Sequence, residues 1–312
     1  VEQPQSRARA NPDPSQGFDL PSRVTEADNA EAVDNLPPRL SATQISAWHD
    51  CPRRWGYRYD DRYGAGVEPL PMPDRVLVGS AVHQALAEAA SRLAVGLPVD
   101  HPPGATLAAY RASAAAAGVT GRAALDEAAS YVSYGLALLP RLVGSDPQRI
   151  VGVERFFIVD PVGVGLPLSG RMDLLLADRP LDGRLRVRVL DWKASRRERT
   201  AAELASDVQM SVYALAAAAA VPDAARVSVG VAALGGGEEP VTWLTRDRPV
   251  VAEAVADTVA RLAARVWRES RSAAMAGAYE ARPDPKRCGG CEFRAACVDS
   301  AAPTGTPNNG LY

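Results

Sequence analysis

Three short apolar runs in close succession constrain this 312-residue chain more than any other feature: IVGVERFFIV (150–159), LPLSGRMDLLLA (166–177) and LRVRVLDWK (185–193). The joints between them, DPVGVG and DRPLDG, carry turn residues, so the spacing predicts consecutive strands joined by tight turns. Upstream the pattern is helical. SATQISAWHD opens with Ser41 and, three residues on, Gln44, a capping-box start. Pro52 should end or kink that helix, with a second short one over 53–59. RVLVGSAVHQALAEAASRLAVG (75–96) reads as an amphipathic helix stopped by Gly96, and 105–142 as one or two alanine-rich helices. Downstream, Thr200 and Glu203 cap a helix running to about residue 220. RVSVGVAALG (226–235) and VTWLT (241–245) follow as strands, and 248–278 as a long last helix. This order predicts one α/β domain over 39–300 with helical additions at both ends. Residues 1–38 and 301–312 lack periodicity and read as a disordered arm and tail.

Composition narrows the class. A net charge of −2 and a pI near 6.0 give no global nucleic-acid signature, yet leave room for a local basic groove around an acidic centre. No unbroken run of 18 apolar residues suggests a membrane span. The opening residues contain no apolar segment of the signal-peptide kind, so a cytoplasmic location is expected, with a larger parent polypeptide left open. No G-x-x-x-x-G-K-[ST] loop occurs, so any ATP-driven helicase would have to be a separate domain or partner.

Two carboxylates stand at matched places. Asp173 follows Gly-Arg-Met inside the second run, and Asp191 ends the third, two residues before Lys193. Lone carboxylates inside apolar strands are costly, and a divalent cation between two of them removes their repulsion. Hard oxygen ligands favour Mg²⁺ or Mn²⁺. Alone, D-x-K is a weak motif that more often marks a strand-end ion pair, with Asp173 capping a turn; the strand–turn–strand placement of Asp173, Asp191 and Lys193 brings the two readings level. Lysine is rare here, occurring only at Lys193 and Lys286, so the choice of lysine over arginine at 193 points to its compact ammonium. Trp192, between the two polar residues, should turn to the opposite face of the strand. His83 lies on the 75–96 helix, Glu154 is a second-tier candidate in the first strand, and Gln209 and Tyr213 share a helix face four residues apart. That face is expected to lie off the stripe Leu204, Val208, Val212, Leu215, which should pack on the sheet.

The four cysteines are Cys51 and the trio Cys288, Cys291 and Cys297 in CGGCEFRAAC. The C-x2-C-x5-C spacing lets three thiolates converge, with Cys51 returning in space as a fourth ligand. The trio is too crowded for two disulfides. Spacing alone does not separate zinc from an iron–sulfur cluster. Either would staple the N-terminal helix to the C-terminus.

Taken together these motifs resemble the PD-(D/E)XK nuclease superfamily, and within it the RecB-like branch that bears an iron–sulfur cluster, which includes CRISPR-associated adaptation exonucleases and AddB-type nuclease domains. The resemblance covers residues 40–298 and rests on six motifs in order: SATQISAWHDCPRRWGYRY, GSAVHQAL, GRMDLLL, VLDWKAS, QMSVYAL and CGGCEFRAAC. It implies a restriction-endonuclease-like mixed sheet flanked by helices, with the terminal helical segments joined by a metal cluster. It implies that His83, Asp173, Asp191 and the Trp192 carbonyl bind Mg²⁺ or Mn²⁺, that Lys193 orients or activates water, and that Gln209 and Tyr213 support the site or contact the DNA strand. Cys51, Cys288, Cys291 and Cys297 would bind a [4Fe–4S] cluster, with zinc the alternative. The implied activity is exonucleolytic hydrolysis of single-stranded DNA or DNA ends, in repair, recombination, phage DNA processing or CRISPR-type adaptation, with a helicase or recombination partner. Arg53, Arg54 and Arg58 are candidate phosphate contacts. A DNA-end-binding module that does not cut is the rival reading.

Overall fold

A computed structural model describes residues 36–71, 73–99, 121–161, 166–180, 182–237 and 240–303. Most of the expected arm and tail, and the beginning of the 105–142 helical region, lie outside these residues.

The chain enters with α1 (Ala42–Asp50) and α2 (Pro52–Tyr59). Both halves of the Ser41–Gln44 capping box form, and Cys51 breaks the helix in extended conformation just before Pro52. Helices α3 (Asp74–Ala94) and α4 (Arg122–Val143) pack against each other. The three apolar runs then form β1 (Ile150–Val159), β2 (Leu168–Asp178) and β3 (Arg186–Lys193), paired as antiparallel neighbours. After α5 (Ala201–Ser206) and α6 (Val208–Ala220), strand β4 (Arg226–Ala233) pairs parallel to β3 and β5 (Val241–Asp247) antiparallel to β4. The result is a mixed five-stranded sheet in the order β1-β2-β3-β4-β5. The last long helix, α7 (Ala256–Ala276), is entered through a turn at Arg248–Val250 and a π-helical turn at Val251–Val255, and closes on Gly277 in the left-handed region. A short α8 (Pro285–Gly289) follows.

Alternation along the strands builds one core on each face of the sheet. Leu174, Leu176, Leu190 and Trp192 pack with α3 and α4. Val187, Val189, Val227 and Val229 pack on the other side with α1, α6 and α7. Trp192 thus turns away from the α6 side, as its position between Asp191 and Lys193 predicts.

Two expectations need correction. The helix read from Thr200 to residue 220 is two helices, because the Asp207 carboxylate accepts from the Gln209 and Met210 amides and starts a new helix. That break resets the helical phase. Leu204 and Val212 are buried as expected, but Val208 and Leu215 are only partly covered, while Met210 and Tyr213 are buried. Tyr213 therefore belongs to the packed face and not to one beside it.

Candidate metal and acid centre

The site forms where β2 and β3 part. Their ladder runs from Asp178↔Arg186 to Leu174↔Leu190. One step further, the Trp192 amide donates to Asp173 Oδ2 at 2.8 Å in place of a backbone carbonyl. The side chain thereby occupies the opening between the strands. Asp173 and Asp191 are both buried, at 7% and 1% exposure, among the few buried charged residues described.

Helix α3 brings His83 to the opening, with Nδ1 3.3 Å from Asp173 Oδ2. Burial works to lower the His83 pKa, but the hydrogen bond and charge of Asp173, with Asp191 beyond, outweigh it and raise it. Strand β1 contributes Glu154, which the register sets level with Asp173. Donor atoms of His83, Glu154 and Asp173 lie within 4.8 Å of one another, the one such group of three among the described residues. Glu154 Oε1 is buried without a hydrogen-bond partner, and Oε2 faces Arg171 at 3.8 Å. Burial, then the charge of Asp173, raises its pKa. Glu154 is also the one described non-glycine residue with positive φ, at 47°. A conformation of that kind costs of order 1–3 kcal/mol and persists where the surroundings enforce it. Glu154 is a second-tier candidate in the sequence because an acid in this strand reads as an edge-strand surface charge; its backbone angle and unpaired oxygen have no sequence signature.

On the other side of the opening, Lys193 Nζ lies 2.7 Å from Asp191 Oδ2. Complete burial pushes the Asp191 pKa up to about 6, opposed by the charge of Lys193. Burial of Lys193 acts to lower its own pKa, yet the Asp191 carboxylate prevails and raises it. Lys193 is therefore a cation at neutral pH. Gln209 donates to Asp191 Oδ1 at 3.0 Å and to the Tyr213 hydroxyl at 2.8 Å, and that hydroxyl donates to the Arg171 carbonyl at 2.7 Å. A chain of hydrogen bonds thus runs from Asp191 on β3 through Gln209 and Tyr213 of α6 to the Arg171 carbonyl on β2. The residues named in four of the six motifs meet here, and Trp192 enters through its amide.

The cysteines lie elsewhere. All four line one solvent-open pocket between the α1–α2 junction and the C-terminal segment, together with Arg54, Arg282, Arg287 and Arg294. The sulfurs are not drawn into a tight group: among the described residues no three of them come within 4.8 Å of one another. Burial pushes the Cys291 thiol up to about 11. The donor set is four thiols with guanidinium groups around them, but among the described residues the sulfurs are not gathered as a metal centre of either kind would hold them.

The arginines expected to meet phosphate are otherwise engaged. Arg53 pairs with Asp299 and donates to the Tyr279 carbonyl, Arg54 reaches Glu292 at 3.0 Å, and Arg58 pairs with the same Glu292. These bonds hold α2 against the C-terminal segment, so the three side chains act as part of a clasp. Carboxylates 238 and 246 residues away in sequence could not be assigned to them without the fold.

Comparison with known proteins agrees with this geometry. The model of the PD-(D/E)XK nuclease superfamily matches residues 39–298, most of the chain and every residue of the acidic centre. No curated protein matches the chain significantly.

Proposed function

The chain belongs to the PD-(D/E)XK nuclease superfamily, and we propose that it is a Mg²⁺- or Mn²⁺-dependent deoxyribonuclease of the RecB-like branch, acting as an exonuclease on single-stranded DNA or DNA ends. The observation that carries this reading is the convergence of His83, Glu154 and Asp173 beside the Asp191–Lys193 pair. His83, Asp173 and Asp191 would hold the cation, joined by Glu154, whose buried Oε1 lacks a partner; the resemblance adds the Trp192 carbonyl. A bound divalent cation supplies Lewis acidity toward a phosphoryl oxygen and acidifies its water.

The rest follows from the chain's own groups. Lys193, held charged by Asp191, presents donors that orient an attacking water and offset negative charge developing on the phosphorus oxygens. Gln209 fixes the Asp191 carboxylate through one oxygen and leaves the other to face Lys193. Tyr213 anchors Gln209 to β2, so the distance between the strand ends is set by hydrogen bonds and not by loop conformation.

The reading extends to the cysteine pocket as a [4Fe–4S] site held by Cys51, Cys288, Cys291 and Cys297, supported by four thiols and four arginines around one space. Protein purified with its metal should be brown and contain iron and sulfide; a colourless, zinc-containing protein overturns the cluster.

Cleavage of end-labelled single-stranded, duplex and circular DNA with Mg²⁺, Mn²⁺ or chelator tests the activity, with Asp191→Ala alongside. Metal-dependent loss of linear substrate, abolished in the variant, is expected. Inert wild type would return the chain to the rival role of a DNA-end-binding module, and equal activity in the variant would place the chemistry elsewhere.

A further inference from the structure

The face of the sheet that carries Glu154 and Asp173 does not end with them. Partners across an antiparallel ladder point to the same side, as do alternate residues along a strand. Phe156 pairs with Arg171 and Ile158 with Ser169, so Phe156, Ile158 and Arg171 extend the face of Glu154 away from the acidic centre. On this face Phe156 is 55% exposed, Ile158 47%, and the Arg171 side chain 61%. The intervening ring behaves in the opposite way. Phe157 is buried, meets Tyr213 edge-on at 6.1 Å between centroids, and fills the space a side chain at Gly170 would need. β1 therefore spends one aromatic on the core and offers the next to solvent, on the edge strand of the sheet.

Scattered apolar residues on a surface need no explanation. This ring is different in its neighbours: it stands two residues from Glu154 and beside Arg171, which is itself 3.8 Å from the Glu154 carboxylate. Two residues of strand span about 7 Å, a length that one nucleotide of an extended single strand can bridge. Resting on the nuclease reading above, we infer that Phe156, flanked by Ile158 and Arg171, is a stacking platform for an unpaired base of single-stranded DNA whose phosphodiester lies at His83, Glu154 and Asp173. Aromatic faces bind bases of any sequence once these are unstacked, and a guanidinium alongside meets the neighbouring phosphate. Bases inside an intact duplex are stacked on one another and cannot use the platform. The substrate class of the site is then a single strand, or a duplex end that frays.

A double-mutant cycle decides this, using an Asp191→Asn background so that nothing is cut. Fluorescence anisotropy in Mg²⁺ compares labelled oligothymidylate with an abasic strand of the same length, for Phe156 and for Phe156→Ala. The expected result is a roughly 5- to 150-fold weaker grip on oligothymidylate in the variant, of order one stacked base, restored by Phe156→Trp. The abasic strand should bind both proteins equally weakly. An unchanged melting curve for the variant, expected of an exposed position, excludes unfolding as the cause. Equal binding of oligothymidylate by both proteins, or the same abasic penalty in both, overturns the platform and leaves the ring to a protein contact on the sheet edge. Cleavage by the unsubstituted protein is followed separately; its absence overturns the nuclease reading, while the binding cycle still decides the platform.

Discussion

Lysine at position 193 holds a charge that its burial alone would discourage, and it does so because Asp191 lies 2.7 Å away. Arginine would bring a wider fork into the same opening and could not approach a single water as closely. Lys193→Arg is expected to lower cleavage about 10²-fold with DNA binding unchanged, which single-turnover assays beside anisotropy titrations will show. Tyr213 is a different kind of residue. Its hydroxyl satisfies both Gln209 and the Arg171 carbonyl, so Tyr213→Phe should cost about 1–3 kcal/mol of stability, read from denaturant unfolding, and slow cleavage by loosening Asp191. At this scale much was legible. Asp173, Asp191, Lys193, His83, Gln209 and Tyr213 each stand in a recognisable local pattern. Glu154 was less so, since its part is set by a backbone angle and by the register of β1 on β2.

Among the elements, the β2–β3 pair carries the site at one end and a charged lock at the other. Asp178 accepts from Arg186 at 2.8 Å and lies 3.3 Å from Arg188 and 3.4 Å from Arg149. Burial alone would raise the Asp178 pKa, but the Arg186 hydrogen bond and the charges of Arg188, Arg186 and Arg149 hold it below the usual carboxylate range. The folded chain thus takes up this proton less readily than the unfolded one. The lock stabilises fully above the unfolded value of about 3.9 and is lost as pH falls through the lower folded value. Asp178→Asn should cost about 1–3 kcal/mol at neutral pH, and the gap from wild type should close in acid, measured as urea midpoints against pH. Strands were well marked by their apolar runs and turn residues. The break at Asp207 escaped because an aspartate inside a helical run reads as surface until its carboxylate is seen capping Gln209 and Met210.

Across the whole molecule, the beginning and end of the described chain are clasped together. Tyr279 donates to the buried Asp60 at 2.7 Å and packs among Trp48, Trp55 and Tyr63. Its ring lies where a side chain at Gly56 would have to go, with 2.6 Å to the built Cβ. Gly56→Ala is expected to destabilise the chain by about 1–3 kcal/mol through overpacking, seen as a lower melting temperature. Cys288→Ser should lower both metal content and melting temperature, while the folded fraction keeps its cleavage rate, since the cysteine pocket and the acidic centre share no residue. The cysteine spacing leads to the expectation of a metal staple between these ends, and the structure shows a clasp there that is built from side chains. Its aromatic and ion-paired part did not show in the sequence, because contacts such as Arg53 with Asp299 and Asp60 with Tyr279 join residues more than 200 positions apart.

The clasp also decides how the molecule answers tension. A pull applied to residues near both ends of the described chain is carried from α2 directly into the C-terminal segment, through Arg53, Arg54, Arg58 and Tyr279. The sheet shares that line of force, because Leu40, ahead of α1, bridges to Leu168 at the start of β2. A load at the two ends of the described chain is therefore divided between the ion-paired clasp and the bridge onto β2.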